Sequence, residues 1–194
     1  MRSVQLHEPT VAHGKMLFGQ CVGCHGSEGQ GVMGAGPRLN SESFLAAASD
    51  EYLVRTISNG RAGTTMVPWG QSMSRSDIAS IIAYMRSWHP VDFAILDESP
   101  LNGDEVRGRE IFRDICASCH GRTGAGYQET ANGTGIARAA FLREVSDGFL
   151  RYIIKNGKTQ TQMKGFDERD GTAVASLGPQ QIDDVIVYLR NNAW

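Results

Sequence analysis

Cys21-Val22-Gly23-Cys24-His25 and Cys116-Ala117-Ser118-Cys119-His120 are two copies of Cys-x-x-Cys-His, and together they use all 4 cysteines of the 194-residue chain. A Cys-x-x-Cys pair followed at once by histidine is the attachment signature of c-type haem. Both thiols bond to the haem and the adjacent imidazole binds its iron. Cys21, Cys24, Cys116 and Cys119 are therefore expected to hold two haem c groups covalently, with His25 and His120 as the proximal iron ligands. A zinc site built from paired Cys-x-x-Cys motifs is the competing reading. It leaves the histidine after each second cysteine unexplained, twice, so no zinc is expected. No cysteine remains for a disulfide.

The similarity between the halves extends well past these motifs. Gly14 and Phe18 precede the first with the same mutual spacing as Gly108 and Phe112 before the second, where one extra residue stands ahead of the cysteine. Asp50-Glu51-Tyr52-Leu53-Val54-Arg55-Thr56-Ile57-Ser58-Asn59-Gly60 answers to Asp147-Gly148-Phe149-Leu150-Arg151-Tyr152-Ile153-Ile154-Lys155-Asn156-Gly157. Each half closes on a helical pattern. Ile78, Ile81, Ile82 and Met85 fall at i, i+3, i+4 and i+7, as do Ile182, Val185, Ile186 and Leu189. Tyr84-Met85-Arg86 matches Tyr188-Leu189-Arg190, and Ser76 and Gly178-Pro179 are the expected start signals. One unit has been duplicated. Each copy reads as helix, haem-binding turn, glycine-rich loop, helix, ligand loop, helix, with few strand signals. Residues 26–36 and 121–135 are too rich in glycine for regular structure and are expected to wrap one haem edge. A unit this small has little apolar area of its own, and a buried macrocycle supplies much of the missing core.

Composition bounds the rest. Hydrophobic content of 41% is ordinary for a soluble protein, and no run approaches the roughly 20 apolar residues needed to cross a bilayer. A net charge of −2 without any basic cluster excludes nucleic acid as an expected partner. Residues 91–104 hold Asp92, Asp97, Glu98 and Asp104 with no base, together with Pro100 and Gly103, so they read as an acidic linker between units at 1–90 and 105–194. That length allows either a packed pair or two loosely joined units. Covalent haem attachment normally happens outside the cytoplasm. The amino end lacks the apolar core of a signal peptide. A removed signal or membrane anchor is therefore expected, with the protein in the periplasm or another exported compartment.

Gly36-Pro37-Arg38-Leu39, starting eleven residues after His25, brings the first half close to a known pattern. Here the chain resembles a class I cytochrome c domain, and overall it is similar to the dihaem class I cytochromes represented by cytochrome c4. The resemblance implies an all-α fold of two tandem cytochrome c-like domains, each wrapped around one covalently bound haem. It implies that the Pro37 carbonyl orients His25. It also implies a methionine sixth ligand from a later loop. Gly60-Arg61-Ala62-Gly63-Thr64-Thr65-Met66-Val67-Pro68-Trp69 resembles that loop, with one residue inserted before the proline. Gly157-Lys158-Thr159-Gln160-Thr161-Gln162-Met163 has the same glycine-to-methionine gap. Trp69 and Phe166 each stand three residues beyond the methionine, as expected second-shell aromatics. The second half departs from the pattern in three ways. Asn132 stands at the spacing of Pro37, no proline follows Met163, and seven extra residues separate Met163 from its helix.

Other candidate ligands are weaker. Met73 rivals Met66. Met16 and Met85 are expected in the core, and Met33 falls too early for the distal face. His7, His13 and His89 are expected to face solvent. Phe18 with Tyr84, and Phe112 with Tyr188, are expected to join the first and last helices of each unit.

Histidine plus thioether fills both axial positions, so the iron changes charge without binding substrate, and the thioether favours the ferrous state. The resemblance thus implies single-electron carriage between redox partners of a respiratory or photosynthetic chain, such as a membrane oxidoreductase and a terminal oxidase or reductase. Two alternatives stand beside it. One is a dihaem enzyme, peroxidase-like or a sulfur-compound dehydrogenase, with an open or exchangeable second haem. The other is a fixed subunit of a membrane complex, making contacts through the amino-terminal arm or the seven-residue insertion.

Overall fold

The computed structural model describes residues 8–167 and 175–194. The first unit contains α1 (Val11–Phe18), α2 (Val22–His25), α3 (Glu42–Ala47), α4 (Asp50–Asn59) and α5 (Arg75–Arg86). The second contains α6 (Glu105–Ile111), α7 (Ala117–His120), α8 (Ala139–Leu142), α9 (Asp147–Asn156) and α10 (Pro179–Asn191). Among the described residues the only β pairing is three isolated bridges, so the fold is all-α. No described helix is long and apolar enough to cross a membrane. The short α3 and α8 are additions to the expected order.

In each unit the first helix crosses the last at a glycine. A Cβ on Gly14 would stand 1.8 Å from the carbonyl oxygen of Ser80, and one on Gly108 would stand 1.9 Å from that of Asp184. Phe18 meets Tyr84 with centroids 5.5 Å apart, and Phe112 meets Tyr188 at 5.3 Å. Trp88 joins the first pair, 5.3 Å from Phe18 and 5.2 Å from Tyr84. α1 touches α5 through Gly14 and Phe18, which leaves Met16 about 200° round the helix from Gly14. Met16 is 72% exposed, contrary to the expectation that it is core, while Met85 is 2% exposed.

The extra residue ahead of Cys116 is absorbed by a π-helical turn, Phe112–Cys116. Such a turn takes in one more residue without breaking the helix, so α6 keeps its register against α10. α5 is capped by Ser74 rather than Ser76. The Ser74 hydroxyl accepts from the Asp77 amide at 3.1 Å, and Asp77 returns the bond at 2.9 Å. α10 starts as expected, with Gly178 as cap and Pro179 in the first turn. The matched arginines near the ends of these helices do the same work. Arg86 donates to the carbonyls of Leu45 and Ala48 and pairs with Asp50; Arg190 donates to those of Leu142 and Val145 and pairs with Asp147.

The two units form a packed pair. Phe149 packs against Tyr52 at 5.4 Å and edge-on against Phe44 at 6.4 Å. Thr159 donates its amide to Ser43 Oγ at 2.9 Å, and its hydroxyl lies 3.0 Å from Ser41 Oγ. Reciprocally, Arg61 Nη1 donates to the Ala140 carbonyl at 3.0 Å. Arg55 Nε reaches Glu144 Oε2 at 2.9 Å. In both directions a methionine loop of one unit touches the short helix region of the other, an approximate twofold arrangement.

Residues 91–104 contain no helix, yet they form a strap rather than a loose tether. The Ala94 amide donates to the Ala46 carbonyl at 2.8 Å, and Phe93 lies over the Arg86 guanidinium at 4.6 Å. Further along, Glu98 accepts the Gly148 amide at 3.0 Å. Arg151 donates to the carbonyls of Asp97 and Ser99 at 2.8 Å each, and through Nε and Nη2 to Asp183 at 2.7 and 2.9 Å. The Asn102 amide closes on Asp183 at 3.0 Å, and the Asp104 amide on Asp184 at 2.6 Å.

Candidate haem sites

Each Cys-x-x-Cys-His motif is one helical turn. The His25 amide donates to the Cys21 carbonyl at 2.9 Å, and Gly26, at φ 77°, then turns the chain away; Gly121, at φ 81°, does so after His120. Two thiols and one imidazole thereby belong to a single short rigid unit. Burial, with Cys24 adding to it, pushes the Cys21 thiol up to about 11. Burial and Cys119 push that of Cys116 up to about 12. Both are protonated thiols at neutral pH.

The histidines are held in one tautomer. His25 Nδ1 lies 2.9 Å from the Pro37 carbonyl oxygen, and His120 Nδ1 lies 2.8 Å from that of Thr134. A carbonyl only accepts, so Nδ1 carries the proton and Nε2 presents a lone pair. Burial lowers the pKa of His25 against the opposing Pro37 hydrogen bond, and nearby Lys158 lowers it further. Burial lowers that of His120 as well, against its bond to Thr134. Both imidazoles are neutral and ready to bind a metal. A glycine precedes each orienting carbonyl region closely: a Cβ on Gly36 would lie 2.6 Å from the Cys24 carbonyl oxygen, and one on Gly133 would lie 2.3 Å from that of Cys119.

Thr134 is a site residue that spacing alone missed. The amides of Leu39 and Asn40 donate to Gly29 O, and those of Ile136 and Ala137 donate to Gly124 O. The second loop therefore holds two more residues than the first, which moves the partner of Pro37 from Asn132 to Thr134. The signal that finds it is Ile136, the counterpart of Leu39.

The two methionine loops have the same construction. The Arg61 amide donates to the Met66 carbonyl at 2.8 Å, and the Lys158 amide donates to the Met163 carbonyl at 2.7 Å. The Met66 amide donates to Thr64 Oγ1, and the Met163 amide to Thr161 Oγ1, each at 3.1 Å. Gly60 and Gly157 open the loops at φ 63° and 71°, and a Cβ there would stand 2.4 and 2.6 Å from the respective methionine carbonyl oxygen. Trp69 and Phe166 then return to the preceding helix through their amides, at Ile57 O and Ile154 O. Met66, Met163 and Trp69 are half-buried against the core and Phe166 is buried in it. Met73 also packs there, while Met33 is 71% exposed. His13 Nε2 lies 2.9 Å from Asp77, and His89 stands between Asn40 and Glu42. His7 and most of the seven-residue insertion lie outside the described residues.

Haem c fits these residues. Each site joins a thiol pair to a neutral imidazole whose Nε2 is left free by the bond at Nδ1, and a thioether-bearing loop is built identically in both units. The family model for cytochrome c oxidase, cbb3-type, subunit III matches residues 9–85, and that for cytochrome c matches residues 105–193. The chain is 37% identical over 79 residues to cytochrome c-554(548) of Halomonas halodenitrificans, covering 40% of this chain and 94% of that one. It is 29% identical over 177 residues to the cbb3-type cytochrome c oxidase subunit FixP of Azorhizobium caulinodans, covering 87% of this chain and 54% of the relative. Cytochrome c4 of Thiocapsa roseopersicina is 23% identical over 194 residues, with 96% and 93% covered. The chain spans about half the length of the FixP proteins it matches. A chain of the reducing HAO-like protein complex of Kuenenia stuttgartiensis shares the fold, with a TM-score of 0.60 at 19% identity, covering 98% of this chain and 100% of the other.

Fold and site define a helical protein carrying two covalently bound haem c groups. The chain belongs to the dihaem class I c-type cytochromes.

Proposed function

We propose that the protein carries single electrons through two haems, the first bound by Cys21, Cys24, His25 and Met66, the second by Cys116, Cys119, His120 and Met163. Its domains are taken as residues 1–90 and 105–194, with 91–104 as the strap between them. The observation that carries this reading is the twofold repetition of one site, imidazole Nδ1 on a carbonyl and methionine backbone on glycine and threonine. Bound haem supplies the one-electron couple. The protein's own groups keep the imidazole neutral and correctly turned, offer a weak thioether donor, and exclude water with Trp69 and Phe166. A closed pair of axial ligands leaves no place for substrate, which favours a carrier over a peroxidase-like enzyme or a sulfur-compound dehydrogenase. The relatives named as cbb3-type oxidase subunits support a terminal oxidase as the redox partner and a periplasmic setting, as a mobile carrier or as part of a membrane complex.

The test is magnetic circular dichroism of the oxidised holoprotein, wild type against Met163→Ala. Two low-spin haems with methionine-to-iron charge-transfer intensity, halved in the variant, are expected. A high-spin or ligand-exchangeable haem already present in wild type and unchanged in the variant refutes ligation by Met163.

A further inference from the structure

Lys158 belongs to the methionine loop of the second domain but serves the haem site of the first. Its ammonium lies 4.6 Å from the centroid of the Phe44 ring, on α3 of the first domain. It is near enough to His25 to lower that imidazole's pKa. The neighbouring Thr159 is fastened to Ser41 and Ser43, and Arg38 Nε donates to the Gln160 carbonyl at 3.3 Å. Three successive loop residues of one domain are thus committed to the segment just after the Pro37 carbonyl of the other.

The charge balance of this junction is incomplete. Among the described residues neither Lys158 nor Arg38 has a carboxylate partner, and each is the other's near neighbour in charge. Burial first, and then Arg38, pull the Lys158 ammonium down to about 8. Arg61, the residue of the first domain that matches Lys158, is by contrast satisfied by the Ala140 carbonyl, Tyr52 Oη and Thr56 Oγ1. Both residues are half-buried, and two cations brought together where water screens them only in part repel unless an anion stands between them. Haem carries two propionate carboxylates, and guanidinium and ammonium are both suited to such a group.

We propose that Arg38 and Lys158, one from each domain, form a carboxylate cradle for a propionate of the first haem. Through this cradle the second domain's methionine loop helps to set the first haem's reduction equilibrium. The cradle deepens the function proposed above and rests on its haem assignment. Lys158 is a positioning residue. It neutralises a negative charge that otherwise stabilises the ferric iron, and by doing so it favours the ferrous state.

The experiment is a spectroelectrochemical titration of the holoprotein with Lys158→Gln, Lys158→Arg and the control Lys155→Gln, an exposed lysine facing Asp167 at 3.7 Å. A Met66→His variant assigns the first haem's wave, because a second imidazole lowers the potential of the haem it binds. Lys158→Gln is expected to move that wave about tenfold toward the oxidised form. Lys158→Arg restores it, Lys155→Gln leaves it in place, and the second wave stays where it was. An unmoved first wave in Lys158→Gln, equal movement of both waves, or an equal shift in Lys155→Gln overturns the cradle. Failure of Met66→His to move any wave overturns the ligand assignment instead, so the two failures are distinguishable.

Discussion

Arg151→Met tests whether the ion pair that ties α9 to α10, and on which the strap is anchored, is a structural member of the molecule. Arg151 is 12% exposed and Asp183 13%, and the two share a two-pronged ion pair at 2.7 and 2.9 Å. The substitution keeps an apolar stem but removes both prongs and the two bonds to the carbonyls of Asp97 and Ser99. Asp183 is left with the Asn102 amide alone among these strap contacts. Removing one partner of a buried pair costs about 3–5 kcal/mol, and the slight exposure here favours the lower end, about 3 kcal/mol. For a chain of this size each kcal/mol moves the melting temperature by about 2–4 °C, so a fall of about 6–12 °C is expected. The assay is thermal and urea unfolding of the holoprotein, extended to Asp183→Asn and the double variant. The pair should show a coupling of about 1–3 kcal/mol. A fall below about 2 °C, or strictly additive single variants, refutes the reasoning.

Three further outcomes follow from the same geometry. Gly157→Ala forces φ 71° on a residue with a Cβ and sets that atom 2.5 Å from the Gly165 amide nitrogen. It should cost about 1–3 kcal/mol and remove charge-transfer intensity from the second haem only. Gly60→Ala should do the same to the first haem, where the Cβ would meet Met66 O at 2.4 Å; circular dichroism in the charge-transfer region separates the two. Stability should fall in acid partly through Asp183, whose pKa the Arg151 guanidinium holds below the usual carboxylate value. Because the folded value is the lower one, this contribution is complete above about pH 4 and is lost as pH falls through the folded pKa. Asp183→Asn should therefore flatten the acid limb of the stability curve, which urea titrations at stepped pH will show.

The sequence exposes whatever depends on local pattern. The haem motifs and the i, i+3, i+4 stripes of α5 and α10 each lie within a few turns of chain, and the duplication shows as these same local segments recurring. Met16 misled because it sits in a helical pattern, while the facing element is chosen by Gly14, whose missing side chain permits the close crossing. Ser76 misled because Ser74, two residues earlier, has Asp77 in place to complete the cap. Thr134 was hidden by two inserted residues inside a glycine-rich loop, where spacing from the histidine no longer marks the carbonyl. The strap was the least legible element. Its bonds run from backbone carbonyls and amides to Arg151, Asp183 and Asp184, roughly 50 to 80 positions away, and composition reports only that it is acidic.

The reciprocal contact of each methionine loop with the short-helix region of the other unit has the form of a dimer interface, yet both partners are on one chain. An association between separate molecules fades on dilution. Here the strap holds the second surface at an effective concentration of order millimolar or above. Each half meets its own counterpart whatever the abundance of the protein. Cross-domain influence of the kind assigned to Lys158 is then a fixed property of every molecule rather than of a population.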